Sequence, residues 1–189
     1  MAWSLPGGGG AVYCQAVAEV GGTATREMSM RYLMREKIWA FGDDFAIKDE
    51  HGRDVYHVDG KVFTLRQTLV INDAEGGEVA VIRKKLLSFG PAFEVSRGSS
   101  VSVISKHLFT MFRAKFTVDV PGPGDLEASG SFMQREFTFS RAGRTIATVS
   151  RRWFKFSDTY GIDIDDGEDD VLILASAVAI DLCMHPDRD

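Results

Sequence analysis

From Arg31 onward the chain alternates short apolar runs with turn signals at fairly even spacing, which is typical of an all-β sandwich or barrel. Three of these turns predict hairpins, at residues 49–52, 73–77 and 141–144, because each places Gly with Asp, Glu or Arg between two β-rich runs. The sequence Pro-Gly-Pro-Gly at 121–124 cannot continue a central strand and predicts a longer loop.

Within the runs, alternation predicts which side of each strand is apolar. Val101 and Val103 share one face of their strand, and Phe116 and Val118 share one face of theirs. We expect both pairs to lie on the apolar side, since side chains alternate across a strand. The run at 153–156 is predicted to close the β region.

Residues 171–184 differ, because they are apolar except for Ser176 and Asp181 and show no alternation. They predict a buried helix capped by Asp169 and Asp170. About 14 residues at roughly 1.5 Å each span about 21 Å, too short for a bilayer core of roughly 30 Å, so we expect no transmembrane span. A helix apolar on all sides needs cover on all sides, which a closed antiparallel β-barrel provides. Asp181 should meet a donor or cation at the barrel mouth.

Composition fits one folded domain that is neither secreted nor bound to nucleic acid. The 189 residues carry 44% hydrophobic and 26% charged residues and a net charge of -5, which argues against phosphate-backbone binding. Two distant cysteines and an N-terminus without a basic leader predict reduced thiols in a cytoplasmic monomer. The four-glycine tract predicts that 1–29 is an extension and that 30–189 is the barrel domain.

Four segments then show a resemblance to a known family: 44–52 (DFAIKDEHG), 55–63 (VYHVDGKVF), 69–73 (LVIND, followed by two glycines) and 82–86 (IRKKL). They resemble the LURP-one-related family, a branch of the tubby C-terminal-like superfamily that includes the phospholipid scramblases. The similarity covers about 30–184. It implies a barrel of about 12 strands around a central C-terminal helix. Function follows less directly from fold; the superfamily includes phosphoinositide-binding transcription regulators and calcium-responsive membrane proteins.

The segment 158–170 holds seven acids and no Lys or Arg, which leaves two interpretations. One is a calcium site on Asp163, Asp165 and Asp166, at the point before the helix where the scramblase resemblance places a calcium motif. The other, which we favour, is a solvated acidic loop that caps the helix. The spacing is not that of an EF-hand, because counting from Asp163 puts Gly167 at the fifth position and no Glu at the twelfth.

Two basic clusters are candidates for binding an anionic lipid headgroup or another phosphorylated ligand. They comprise Arg83, Lys84 and Lys85 in one cluster, and Arg151, Arg152 and Lys155 in the other. The second cluster flanks Trp153 and Phe154, and cations beside aromatic rings suit a membrane interface. The alternative is that both clusters are ordinary outward-facing charges of strands.

Catalysis has little support in the sequence. The four histidines, His51, His57, His107 and His185, have no metal-ligand spacing, and no nucleophile elbow, P-loop or dinucleotide fingerprint occurs. We therefore predict a non-enzymatic binding module without cofactor, whose partner is an unknown protein or small ligand. The alternative is a peripheral phospholipid- or phosphoinositide-binding protein; a membrane-inserted, scramblase-like protein is disfavoured by the short helix.

Overall fold

Strands account for most of the computed structural model, which describes residues 29–35, 44–61, 68–107, 115–122, 124–151 and 159–184. Within these ranges the chain forms twelve strands, one short 3-10 helix and one α-helix. The strands are β1 (Ser29–Arg35), β2 (Phe45–Asp49), β3 (Asp54–Lys61), β4 (Thr68–Asp73), β5 (Glu78–Lys84), β6 (Ala92–Arg97), β7 (Ser100–Lys106), β8 (Lys115–Asp119), β9 (Leu126–Ser131), β10 (Glu136–Arg141), β11 (Arg144–Ser150) and β12 (Thr159–Asp165). The 3-10 helix is Phe132–Gln134 and the α-helix, α1, is Asp170–Met184.

The twelve strands close into one antiparallel barrel in sequence order. The closed antiparallel barrel predicted from the residue pattern is confirmed, as is the number of strands that the family resemblance implied. β12 pairs with β1, with Ser29 opposite Asp165 and Arg35 opposite Thr159, so the closed sheet has no free edge. We name the two openings by what they carry. End A carries the segment 165–170 that leads from β12 into α1, and end B carries the β5–β6 loop, residues 85–91.

The three turns predicted from the sequence all lie at end A, and each connects two consecutive strands. Residues 49–54 join β2 to β3, residues 73–78 join β4 to β5, and residues 141–144 join β10 to β11. Asp73 illustrates why such turns form, because its Oδ1 accepts the backbone N–H of Gly77 at 2.7 Å. All three predicted hairpins are therefore confirmed.

The predicted apolar face is confirmed for β8 and wrong for β7. Phe116 and Val118 are fully buried, whereas Val101 is 45% exposed and Ser102 is buried in its place. The reason is register: Ser102 lies opposite the buried Val95 of β6, so pairing turns the valines of β7 outward.

The β region also continues past 153–156, where the sequence predicted it to end. β12 follows, with Tyr160, Ile162 and Ile164 buried and the alternate side chains Asp163 and Asp165 directed outward. Its acidic positions led us to predict a loop, although the pattern has the period of two of a strand. Asp163 and Asp165 therefore lie on a strand and not in a loop.

The barrel interior is filled by α1, as predicted. Eleven of its fifteen residues are buried, and it packs most closely against β5, β6 and β7. The Leu172 N–H donates to Asp169 Oδ1 at 3.1 Å, which confirms the predicted cap for Asp169, while Asp170 is the first residue of α1. The predicted cation for Asp181 is Arg135, whose Nη2 lies 3.8 Å from Asp181 Oδ1. No helix in the described ranges is both long and apolar enough to cross a bilayer.

The predicted extension at 1–29 lies outside the described residues except for Ser29, the first residue of β1.

Candidate functional site

The β5–β6 loop at end B presents large apolar side chains to solvent. Leu87 is 91% exposed, Phe89 is fully exposed and Leu86 is 58% exposed. Single exposed apolar residues are common on protein surfaces, but neighbouring ones within one loop make that loop a candidate interaction surface. We call Leu86, Leu87 and Phe89 the apolar loop.

Hydrogen bonds within the loop hold it in the conformation that exposes these side chains. The Ser88 hydroxyl donates to the Gly90 carbonyl at 2.6 Å, and the Lys85 N–H donates to the Ala92 carbonyl at 2.9 Å. The Lys106 N–H donates to the Pro91 carbonyl at 3.4 Å, which ties the loop to β7. The loop is therefore preorganised with its apolar side chains outward.

Four cations lie at the base of the apolar loop, at the ends of β5 and β7. Arg83 is exposed, Lys84 and Lys85 are half-buried, and Lys106 lies on the neighbouring β7. The Lys85 Nζ lies 3.5 Å from Glu94 Oε1, and this half-buried pair near the surface has a small energetic effect. We call Arg83, Lys84, Lys85 and Lys106 the basic collar. It contains the whole first predicted basic cluster, and the structure places it beside an apolar surface that the sequence analysis missed.

The apolar loop was missed because an apolar run in sequence does not show whether it is buried. The signal available was the run Leu-Leu-Ser-Phe between a basic cluster and Gly90-Pro91, since Gly-Pro marks a loop.

The second predicted basic cluster is described only at its first residue. Arg151 follows β11 at end B, and its backbone N–H donates to Glu136 Oε1 at 3.1 Å. Arg152 and Lys155 lie outside the described residues, so their part in a site stays a prediction.

The predicted calcium ligands are placed at end A, where arginines contact two of them. Asp163 Oδ2 accepts from Arg31 Nη2 at 2.7 Å, and Asp165 Oδ2 accepts from Arg144 Nη2 at 3.1 Å. Asp166 is exposed in the turn that follows β12.

The same pairing continues along the segment 163–170, which we call the acidic rim. Glu168 Oε2 accepts from Arg141 Nη1 at 2.5 Å, and Asp169 is paired with Arg97. In the described part of the chain, no group of three or more His, Cys, Asp and Glu side chains is placed to hold a metal ion. Four carboxylates of the acidic rim are thus paired with arginines of other strands, and the calcium site stays an untested alternative.

Asp170, the last residue of the acidic rim, is half-buried at the start of α1. Its Oδ2 accepts from the Tyr32 hydroxyl at 2.6 Å. Burial raises the pKa of Asp170, Asp169 and Asp166 raise it further, and the hydrogen bond from Tyr32 acts in the opposite direction. End A is therefore acidic and cross-linked by ion pairs, while end B carries the apolar loop and the basic collar.

The sequence model of the family described as LURP-one-related matches residues 30–181. The chain belongs to the LURP-one-related family. The Uncharacterized protein YxjI of Bacillus subtilis (strain 168) is 28% identical over 158 residues, covering 83% of this chain and 95% of that protein.

A solved structure shares the fold of this LURP-one-related protein. The X-ray structure of a protein from Arabidopsis thaliana matches with a TM-score of 0.57 and 17% identity, over 82% of this chain and 91% of that one. At this identity the match shows the fold alone, and it agrees with the barrel and central helix that the resemblance implied.

Proposed function

We propose that this LURP-one-related protein is a non-enzymatic binding module that docks on anionic phospholipid membranes through end B. The observation that carries the proposal is the exposure of Leu87 and Phe89 on a loop whose base bears the basic collar. Apolar side chains that enter the acyl boundary while adjacent cations stay at the headgroups are the combination that interfacial binding requires.

The magnitudes favour joint action of the two surfaces. Burying a Leu or Phe side chain contributes about 1.5–3 kcal/mol, and a Lys or Arg near an anionic surface contributes about 1 kcal/mol. Either contribution alone, apolar or electrostatic, would give only marginal membrane affinity, as a single acyl chain does. The apolar loop and the basic collar together supply two signals of similar size.

The proposal places the protein in the cytoplasm as a monomer, facing the cytoplasmic leaflet that carries anionic lipid. The acidic rim lies at the opposite opening of the barrel and would be repelled by the same surface. Charge therefore orients the molecule with end B toward the membrane.

Co-sedimentation with vesicles tests this proposal. The protein should bind vesicles containing about one-fifth phosphatidylserine, should bind phosphatidylcholine vesicles far more weakly, and should lose binding as salt rises. The paired substitution Leu87→Ser with Phe89→Ser should reduce binding about tenfold or more. Its matched control is Met30→Ser, which removes an apolar side chain that is 52% exposed near the start of β1, at end A.

Removing charge tests the other half of the surface. Lys84→Ala with Lys85→Ala should weaken binding to anionic vesicles, whereas Lys48→Ala with Arg53→Ala, at end A, should leave it unchanged. Vesicles with a phosphoinositide in place of phosphatidylserine show whether the headgroup matters beyond its charge. Absence of binding to every vesicle, or binding equal to phosphatidylcholine alone, contradicts the proposal and leaves a protein partner for end B.

A further inference from the structure

A recess at end A, opposite the proposed membrane surface, is large enough for a small molecule. Its volume is about 460 Å³, and it lies between the first turn of α1 and the ends of β5 to β8. Pockets that bind small ligands range from about 300 to 1,000 Å³. Its apolar wall is formed by Val79, Val95, Val120 and Leu172.

The polar side of the recess includes a buried hydroxyl that the protein itself does not satisfy. Ser100 and Ser102 line the recess from the same face of β7. Ser102 is only 4% exposed, and none of the described residues donates a hydrogen bond to its hydroxyl or accepts one from it. Because a buried hydroxyl without a partner costs free energy, its position on the recess indicates a ligand with a polar atom.

The side chains around the recess have more donors to offer than acceptors. Arg97 Nη1 donates to Asp169, and the Arg97 Nε–H is buried without an acceptor in the described part of the chain. Both oxygens of Asp169 are engaged, since Oδ2 accepts from Arg97 and Oδ1 accepts from the Leu172 N–H. The recess therefore favours a ligand that accepts hydrogen bonds over one that only donates them.

The described residues that line the recess have no net charge. They include one cation, Arg97, and one anion, Asp169, and these two are paired. An ammonium or a carboxylate would lose hydration in the recess without meeting an unpaired countercharge, a cost that an uncharged ligand avoids. Charge balance therefore favours an uncharged acceptor.

We infer that this recess binds an uncharged organic molecule in which a carbonyl oxygen is attached to a compact apolar body, as in a small ketone or ester. The carbonyl oxygen has two lone pairs, so it accepts from the Ser102 hydroxyl and from the Arg97 guanidinium. The apolar body packs against Val95 and the other apolar side chains of the wall. The inference is independent of membrane docking, since the two surfaces lie at opposite openings of the barrel.

Four probes built on the same ring test the inference: cyclohexanone, methylenecyclohexane, cyclohexylamine and cyclohexanecarboxylate. Titrated into the full-length protein near pH 7, where the amine and the acid are ionised, cyclohexanone should cause saturable amide shifts at Gly98, Ser100 and Ser102 in NMR spectra. Methylenecyclohexane has nearly the same shape without the acceptor oxygen and should bind about tenfold more weakly. Each charged probe should also bind about tenfold more weakly than the ketone, because of its desolvation.

Removing the Ser102 hydroxyl tests the polar contact separately from packing. Ser102→Ala should weaken cyclohexanone binding about fivefold and leave methylenecyclohexane binding unchanged, because only the ketone accepts from the hydroxyl. Ser105→Ala removes a hydroxyl from the outer face of the same strand and is the matched control. Unchanged cyclohexanone affinity in Ser102→Ala would contradict the assigned hydrogen bond.

A blocking variant locates the site. Ser100→Phe points a ring into the recess and should reduce cyclohexanone affinity about tenfold, while Val101→Phe, whose side chain points outward on the same strand, should leave it unchanged. Val120→Trp is a second blocking variant, used where Ser100→Phe fails to fold. The inference is overturned if methylenecyclohexane or a charged probe binds as tightly as cyclohexanone, or if a folded blocking variant keeps full affinity. It is equally overturned if no probe gives a saturable shift, or if the shifts are confined to Ser88 and Gly90 in the apolar loop.

Discussion

Arg135 Nη2 lies 3.8 Å from Asp181 Oδ1, and both side chains are about nine-tenths buried. The Arg135 guanidinium also lies over the ring of Tyr160, 5.6 Å from its centroid. Arg135 follows the 3-10 helix at end B, and Asp181 belongs to the last turn of α1. The pair therefore fixes the C-terminal part of the central helix to the barrel wall.

Removing one member of this pair should destabilise the fold strongly. Asp181→Ala should lower the free energy of unfolding by about 3–5 kcal/mol, because it removes a carboxylate from beside the buried Arg135 cation. Replacing both residues, with Arg135→Met and Asp181→Leu, should recover much of the loss. Urea unfolding measures both quantities. A loss below about 1 kcal/mol for Asp181→Ala would show that the pair does not anchor the helix.

Charge placed inside α1 should abolish folding. Leu174 and Ile180 are each 1% exposed, so Leu174→Asp or Ile180→Asp buries a carboxylate among apolar side chains. We expect neither variant to give a dispersed NMR spectrum. Val101→Asp, on the outer face of β7, is the matched control and should fold. A Leu174→Asp variant that unfolds cooperatively would mean that α1 is not the core.

Asp170 should make stability depend on pH. Because burial holds the pKa of Asp170 above its ordinary value, its carboxyl binds a proton more readily in the folded state than in the unfolded one. The charged carboxylate therefore destabilises the fold above the folded pKa, and the effect disappears as pH falls through that pKa. Asp170→Asn should gain stability relative to wild type at neutral pH, and this gain should shrink on acidification.

Urea unfolding between about pH 3 and pH 7 measures this difference. Glu75→Gln changes an exposed carboxylate in the β4–β5 turn and is the control. A constant difference between Asp170→Asn and wild type across this range would contradict the assignment.

Cys183 should be inert in the folded protein. Burial raises the pKa of its thiol to about 12, with smaller opposing effects of Lys106 and Lys84. In a Cys14→Ser background, Cys183 should react with a thiol reagent near pH 8 only as fast as the barrel opens. Solution conditions that stabilise the folded barrel should slow the labelling of Cys183 by the same factor as they reduce opening of the barrel. Immediate labelling of the native protein would contradict the burial of the last turn of α1.

Calcium should leave the barrel unchanged, because Asp163 and Asp165 already accept hydrogen bonds from Arg31 and Arg144. We expect the melting temperature to be the same with calcium at about 1 mM and with chelator, since a site of ordinary affinity would be filled at this concentration. A rise in melting temperature that is lost in Asp163→Asn would restore the calcium hypothesis.

The sequence predicted the hairpin turns and the central helix correctly, because each depends on a short local pattern of residues. Gly52, Gly76 and Gly143 all have positive φ in the turns predicted as hairpins, and the uninterrupted apolarity of 171–184 identified the central helix. These features are local, so they can be read from neighbouring residues.

The features that were missed depend on contacts between distant residues. The inward direction of Ser102 is set by pairing with Val95, and the outward acids of β12 are balanced by Arg31 and Arg144 from other strands. The exposure of Phe89 likewise depends on where the β5–β6 loop leaves the barrel at end B. The residues next to Phe89 in the sequence do not specify this position. The apolar part of the candidate site was therefore visible only in the structure.

The most direct test of membrane docking through end B is a fluorescence measurement of which end meets the bilayer. An environment-sensitive dye is attached at Ser88→Cys in the apolar loop or, as control, at Ser99→Cys in the β6–β7 turn at end A, both in a Cys14→Ser background. With vesicles containing phosphatidylserine, the dye at position 88 should brighten and shift to the blue while the dye at position 99 stays unchanged. Equal responses at both positions, or a response at position 99 alone, would contradict docking through end B.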